Sequence, residues 1–313
     1  MNYVFDIIIG GFLIGDAVLV GYLVSLVEEG RKAKLCALPI ISIIASLTAF
    51  AVVFYGSFIE PRKIVTNEFT VELKKNSSLT LRAAVVADMH VGPYKKDDFL
   101  ARAVEKINEQ KPDIIFLVGD FVYGNAEQKK YLFPLKNLQA PYGVFAVLGN
   151  HDYIEGKPDA VRTSSPVRAE AIKKALEDMG IKVLVNEFID INMKGKKIHL
   201  YGIDELWTGN AKIAQSPNNN NLSIMLAHNP DAVVESEKAD YDLVIAGHTH
   251  GGQIRLPFIG AVPRIPTKLG RKFDRWLFDY GKAKLFITSG LGEIGPRARL
   301  FNPPEVDLLK INF

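Results

Sequence analysis

Two long apolar runs open the chain, and after them the hydrophobic pattern shortens into brief blocks separated by polar residues. The first run extends from Tyr3 to Val27 and is broken by Asp6 and Asp16. The second, Leu35 to Ile59, is 25 residues without a charge. A helix that crosses a bilayer needs about 20 apolar residues, so the second run clears that length. The first would carry two carboxylates at membrane depth, where such groups face protein or water. A surface or re-entrant segment is its alternative reading. Residues Glu28 to Lys34 join the runs and are short enough for a helical hairpin. A cleaved signal peptide fits less well, because no basic residue precedes the first run and the run is long for a signal's apolar region. Residues 1–59 are therefore expected to form an anchor of one or two transmembrane helices, and residues 60–313 a separate domain.

Behind the anchor, Glu60 to Ser78 read as a polar neck in which Ile64, Phe69, Val71 and Leu73 alternate in part, as an edge strand does. Leu81 to Ala87 form a short buried run. Asp97 to Glu109 place Phe99, Leu100, Ala103, Val104 and Ile107 on one side of a helix, which Pro112 and Asp113 stop. Ile114 to Val118 and Gly143 to Leu148 read as buried strands with a helical stretch between them, and Ala169 to Met179 as a further helix. Strands follow at Lys182 to Val185, Lys197 to Ile203, Leu222 to Ala227, Leu243 to Ala246, Lys284 to Thr288 and Val306 to Ile311. Ser216 to Asn221, with four successive asparagines, reads as a loop. Strands that alternate with helices early and dominate late predict an α/β core of two packed sheets with helices outside.

Composition narrows the chemistry. The chain has 313 residues and a net charge of +3, so no dominant field argues for nucleic acid. Its one cysteine, Cys36, excludes a disulfide framework and a thiolate zinc site. It has only six histidines, and five of them follow apolar runs. Asp88 and His90 follow the first core strand, Asp120 the second, and Asn150, His151 and Asp152 the third. His228 follows Leu222 to Ala227, and His248 and His250 follow Leu243 to Ala246. Ligands of α/β sheets bind in the crevice beyond the carboxyl ends of strands. Carboxylate and imidazole donors there suit two divalent cations, Mn, Fe or Zn. A pair about 3.5–4 Å apart can clamp a phosphate and acidify a bound water.

Asp88-Met89-His90, Gly119-Asp120, Gly149-Asn150-His151-Asp152, Ala227-His228 and Gly247-His248-Thr249-His250 resemble the five motifs of the calcineurin-like metallophosphoesterases, in that family's order. The similarity covers residues 80 to 313. Gly251-Gly252-Gln253-Ile254-Arg255-Leu256-Pro257 and Asn302-Pro303-Pro304-Glu305 look like the bacterial YkuE/YaeI-type branch. The hairpin departs from branch members that carry a twin-arginine export signal. The resemblance implies a four-layer α/β/β/α sandwich. It implies Asp88, His90 and His250 on one metal, Asp120 bridging, and Asn150, His228 and His248 on the other. It implies His151 as the acid that protonates the leaving group, oriented by Asp152, and no covalent enzyme intermediate.

Other polar positions carry blander readings. His199 lies mid-strand and is expected to be a satisfied histidine. Asp204 and Glu205 either line the pocket or form a solvated turn, and Gly251-Gly252 read as a tight turn. Arg255, Arg264, Lys268, Arg271, Lys272 and Arg275 are interleaved with Phe258, Phe273, Trp276, Leu277 and Phe278, either as a solvated face or as an amphipathic element that meets anionic lipid headgroups. The expected activity is two-metal hydrolysis of a phosphoester, preferably a phosphodiester or pyrophosphate, with a lipid or other envelope component as substrate, at a bacterial cell membrane. The loop cations Arg31, Lys32 and Lys34 outnumber Arg62 and Lys63 by one, which favours an extracytoplasmic domain. The alternatives are a UDP-diacylglucosamine pyrophosphatase of the lipid A pathway at the cytoplasmic face, and a scaffold without activity.

Overall fold

The structure is a computed structural model and describes residues 3–33, 37–73, 79–154, 164–217 and 221–313. Cys36 and Asn218 to Asn220 of the asparagine run lie outside these. The two apolar runs are helices α1 (Val4–Ala33) and α2 (Ala37–Phe54), packed side by side. Helix α1 runs on through Glu28 to Ala33, which were expected to be connecting loop. Both helices are long and apolar enough to cross a membrane, with 0% and 6% of their most apolar windows buried inside the protein. Asp16, expected to be costly at depth, accepts a hydrogen bond from Ser46 of α2.

Helix α2 passes through a π turn (Tyr55–Ile59) and a 3-10 turn (Glu60–Arg62) into β1 (Val65–Glu72) and β2 (Thr80–Val86). Then come α3 (Asp97–Glu109), β3 (Ile114–Val118), a long 3-10 segment (Ala126–Asn137), β4 (Val144–Val147), α4 (Asn150–Tyr153), α5 (Pro166–Glu177) and β5 (Lys182–Val183). The second half holds β6 (Glu187–Met193), β7 (Lys196–Gly202), β8 (Leu222–Leu226), α6 (Val233–Lys238) and β9 (Leu243–Ala246). A small hairpin, β10 (Arg255–Leu256) and β11 (Gly260–Ala261), precedes β12 (Trp276–Tyr280), β13 (Ala283–Ile287) and β14 (Glu305–Asn312).

The long strands form two mixed sheets. One has the order β1-β14-β2-β3-β4-β5, the other β12-β13-β9-β8-β7-β6. β2, β3, β4 and β5 are mutually parallel, as are β7, β8, β9 and β13. Alternation along β2 assigns the layers. Ala83 and Val85 meet Phe116, Leu200, Ile224 and Ile245 between the sheets. Ala84 and Val86 face outward, against Leu100, Val104 and Ile107 of α3. On the far side, Met225, Val244 and Leu285 pack under Val233, Tyr241 and Phe273. That fourth layer is thinner than expected: among the described residues its α-helix is the six-residue α6, and loops pack beside it.

Candidate metal centre

Five strands, parallel to their neighbours within each sheet, end at one crevice. Asp88 follows β2, Asp120 follows β3, Asn150 follows β4, His228 follows β8, and His248 and His250 follow β9. The turns beyond the strands are cross-linked through the backbone. Asp88 N donates to Gly119 O (2.9 Å), His90 N to Asp120 O (3.0 Å) and Gly247 N to His228 O (3.0 Å). Asp88, His90, Asp120, His248 and His250 all have positive φ, between 44° and 70°. A side chain in this left-handed region costs about 1 kcal/mol or more, so the centre concentrates backbone strain as functional sites do. The turns also sit very close together. A Cβ on Gly149 would lie 2.3 Å from Asp120 Oδ1, so only glycine admits this approach.

The donor atoms fall into two triads, Asp88–His90–His250 and Asp120–His228–His248, all buried. His90 Nε2 is 3.3 Å from His250 Nε2, and His250 Nε2 is 3.6 Å from Asp88 Oδ1. In the other triad, His228 Nε2 stands 3.2 Å from both His248 Nδ1 and Asp120 Oδ2. Asp120 Oδ2 is also 3.4 Å from His90 Nε2, so this one oxygen borders both triads. Atoms that share a cation at 2.0–2.2 Å stand about 3.0–3.6 Å apart, which these separations match. Asp88 Oδ1 and Asn150 Oδ1 are buried with no hydrogen-bond partner among the described residues, as ligand atoms aimed at a cation would be. His228 Nδ1 donates to Val118 O (2.8 Å) and His250 Nδ1 to Gly292 O (3.3 Å), which turns each Nε2 toward the centre. The chain thus has two sites for divalent cations.

Electrostatics divides the donors. Burial pushes the His90 and His248 imidazoles down to about 3 and His250 well below its ordinary value, so these rings are neutral near pH 7. Burial raises the Asp88 carboxyl to about 8, against the opposing pull of His228. Burial lowers His228 too, but the adjacent Asp120 and Asp88 carboxylates outweigh it and hold the ring up at about 10. Burial would raise Asp120, yet His228 and His151 beside it keep it well below the usual carboxylate range. The protein's own charges therefore favour the neutral form of Asp88 and the charged forms of His228 and Asp120, whose Nε2 and Oδ2 stand 3.2 Å apart.

His151 and Asp152 begin the turn of α4. His151 N donates to Asp120 Oδ1 (2.8 Å), and Arg168 Nη2 donates to His151 O (3.0 Å). The backbone is held from both sides while the imidazole joins the pocket wall, its centroid 5.0 Å from that of His90. The Asp152 carboxylate reaches backbone rather than imidazole. Its oxygens accept from Gly149 N (2.9 Å), Phe121 N (2.9 Å) and Val122 N (3.3 Å), which straps the β4 turn to the β3 turn.

Several contributors were not legible from the motifs. Trp207 sets its ring edge-on to His248, centroids 4.5 Å apart. With Ile254, Pro263, Pro266, Ile294 and Pro296 it gives the pocket, about 380 Å³, a largely apolar wall beside the cations' donors. Among the described residues Arg264 is its one lysine or arginine. Asp204 and Glu205 are buried, not a solvated turn. Asp204 accepts from Tyr153 Oη (2.5 Å), and one Glu205 oxygen accepts from the backbone of Trp207 and Thr208 (2.7 and 2.8 Å), fixing the loop that presents Trp207. His199 takes the satisfied place expected of it, against Asp190. Arg299, fully buried, donates to the carbonyls of Ser289 (2.9 Å), Gly290 (3.1 Å), Gly292 (2.6 Å) and Asn302 (3.0 Å). Asn302 Nδ2 donates to His250 O (2.6 Å), and Glu305 Oε1 accepts from Ser289 N (2.6 Å). The Asn-Pro-Pro-Glu ending thus buttresses the ligand turns, and it was visible in the sequence as a motif without a mechanism.

The basic cluster is not one amphipathic element. Arg255 pairs with Asp274 (2.5 Å), and Arg275 donates to Asn302 (2.7 Å) and lies over Trp276, so both are internal ties. Arg264, Lys268, Arg271 and Lys272 are exposed.

A two-sheet α/β fold with two carboxylate–imidazole triads at the strand ends defines a metal-dependent phosphoesterase. The comparisons with known proteins agree. The family model described as Calcineurin-like phosphoesterase matches residues 81–252, and the chain belongs to that family. It is 34% identical to the uncharacterized metallophosphoesterase Cj0846 of Campylobacter jejuni over 75% of this chain, a match that spans 60% of that protein's length. It is 28% identical to the uncharacterized metallophosphoesterase YkuE of Bacillus subtilis, over 85% of this chain and 92% of YkuE. It is 29% identical to Phosphodiesterase YaeI of Escherichia coli, over 82% of this chain and 92% of YaeI. Among solved structures, phosphopantetheinyl hydrolase of Mycobacterium tuberculosis aligns over 71% of this chain and 92% of that one, at 12% identity and a TM-score of 0.43.

Proposed function

We propose that this protein hydrolyses a phosphodiester or pyrophosphate carried by a membrane lipid, as a bilayer-anchored member of the YkuE/YaeI-type branch. The observation that carries the reading is the meeting of two donor triads with an apolar pocket wall in a chain that bears two long apolar helices. The similarity to a phosphodiesterase and the branch-like segments at Gly251 to Pro257 and Asn302 to Glu305 support it.

In this reading Asp88, His90 and His250 would hold one cation and Asn150, His228 and His248 the other, with Asp120 between them. Manganese, iron and zinc all suit the donor set. When bound, the cations supply Lewis-acid stabilisation of the phosphoryl group and a water acidic enough to attack near neutral pH. The chain's residues do the rest. His151 faces the pocket from a backbone pinned at N and O, and gives a proton to the leaving oxygen. Asp152 is a positioning residue that acts through the backbone. Trp207, Ile254 and Ile294 exclude water and hold the apolar part of the substrate.

Helices α1 and α2 form the anchor. The charge difference between Arg31, Lys32 and Lys34 on one side and Arg62 and Lys63 on the other supports a catalytic domain outside the cytoplasm. The test is hydrolysis of bis-p-nitrophenyl phosphate and of a diacylglycerol p-nitrophenyl phosphate by the full chain with Mn²⁺. Turnover of both, lost in Asp120→Ala, is expected. Turnover of neither refutes the reading.

A further inference from the structure

We infer that the β10–β11 hairpin is a wedge that enters the bilayer surface and presents the metal-centre pocket to lipid. The inference rests on reading α1 and α2 as membrane helices. Its first support is a turn that breaks a local rule. Ile259 N donates to Leu256 O (3.3 Å), closing a four-residue turn with Pro257 second and Phe258 third. Phe258 has φ +66°, in the position that such turns reserve for glycine or asparagine. A bulky side chain there is strained, yet the ring is fully exposed and packs against nothing that would compensate. Ile259, Leu256 and Val262 are exposed beside it. A contiguous apolar tip of this kind marks a contact surface.

The second support says which surface. The hairpin's base is tied to the segments that meet the apolar helices. Arg255 N donates to Leu300 O (2.9 Å), and Leu300 and Phe301 share a groove of about 590 Å³ with Ile44, Leu47, Ala51 and Val52 of α2. That groove runs from Tyr55, the first residue of the π turn, back along α2 to Ile44, about 16 Å, so the loop carrying Leu300 and Phe301 borders the stretch a bilayer would cover. On the other flank, Gln253 Nε2 donates to Ile294 O (3.2 Å) and Pro296 O (2.9 Å). A Cβ on Gly295, between them, would lie 3.8 Å from the Phe5 ring of α1. Ile294 and Pro296 are also pocket wall. The metal centre, the hairpin base and the domain-facing ends of both helices therefore share one continuous surface. Exposed Arg264 and Arg271 flank the tip, and Arg271 donates to Ala261 O of β11, which suits anionic headgroups around an inserted apolar tip.

The test uses the full chain in phospholipid nanodiscs. In a Cys36→Ser background, an environment-sensitive label is placed by Phe258→Cys or, at the start of β7 and so at the opposite end of that strand from the crevice, by Lys196→Cys. Nitroxide-bearing lipids are expected to quench the label at 258 and not at 196. In parallel, Phe258→Asp/Ile259→Asp, whose aspartate tolerates positive φ, is expected to raise KM for diacylglycerol p-nitrophenyl phosphate by roughly tenfold or more. It should leave kcat/KM for soluble bis-p-nitrophenyl phosphate within about twofold. No quenching at 258, or equal losses on both substrates, would overturn the wedge while leaving hydrolysis intact. Quenching at 258 in a protein that cleaves neither substrate would uphold the wedge and refute the hydrolase reading.

Discussion

His151 is the residue on which the proposed reaction and the metal sites can be separated. It contributes no donor to either triad, so His151→Ala should keep its metal content by elemental analysis. Its kcat should fall by about 10²–10⁴-fold, the usual contribution of a positioned acid. The loss should be smaller for p-nitrophenolate, which leaves without help, than for an alkoxide. The cations themselves should bind with a defined proton release. Asp88, raised by burial to about 8, and His228, held by Asp120 and Asp88 at about 10, both carry a proton at neutral pH that a cation must displace. Affinity should therefore weaken as pH falls. Each cation site carries one of these protons, so the weakening should appear at both sites when affinity is measured by competition with a chromophoric chelator. A flat profile would mean that the charges in the centre are distributed otherwise.

At the scale of elements, the turn after β13 depends on one cation. Arg299→Met would leave the Ser289 carbonyl buried without its donor, take one of two donors from the Gly290 and Gly292 carbonyls, and leave the buried Glu293 carboxylate without its guanidinium, so a loss of about 3–5 kcal/mol is expected. Arg299→Lys should recover little of it, because an ammonium cannot reproduce the guanidinium fork. Thermal unfolding of the two variants measures this. The same scale shows what the sequence could say. α3, β3 and β9 follow their predicted bounds, since each has a strong period or a fully buried apolar run between clear stops. β6 and β12 were missed. Each is an edge strand with polar residues on its open face, Asp190 in one and Asp279 in the other, so neither offers a continuous apolar run. β10 and β11 are two residues each, too short for any period. The donors were legible because chemistry and position coincide at strand ends. Trp207 and Arg299 were not, because contacts far apart in sequence place them.

At the scale of the whole molecule, the anchor and the domain are best tested by topology. With the domain outside the cytoplasm, protease added to intact cells or spheroplasts should remove it and leave α1 and α2 protected. Survival of the domain until the membrane is breached would reverse the orientation without touching the chemistry. The expected boundary at residue 59 falls inside packed structure. Arg299 N donates to Gly56 O (2.8 Å), Glu60 Oε1 accepts from Asn302 N (2.6 Å), and Lys95 Nζ donates to Pro61 O (2.8 Å). A soluble fragment that begins at Ile64 would lose all three bonds, so it should melt below the full chain and bind cations less well, because Asn302 also holds His250.

That joint also fixes a height. A flexible tether lets a catalytic domain wander through a volume and collect substrate in three dimensions. A helix that continues through Tyr55 to Arg62 into a hydrogen-bonded socket has no such play. Under the proposed anchoring the crevice stays at one altitude, and its substrates are those whose scissile bond stands in that layer. Encounter with a lipid-borne substrate would then be a search in two dimensions, governed by how many such lipids occupy the membrane rather than by how much free substrate surrounds it.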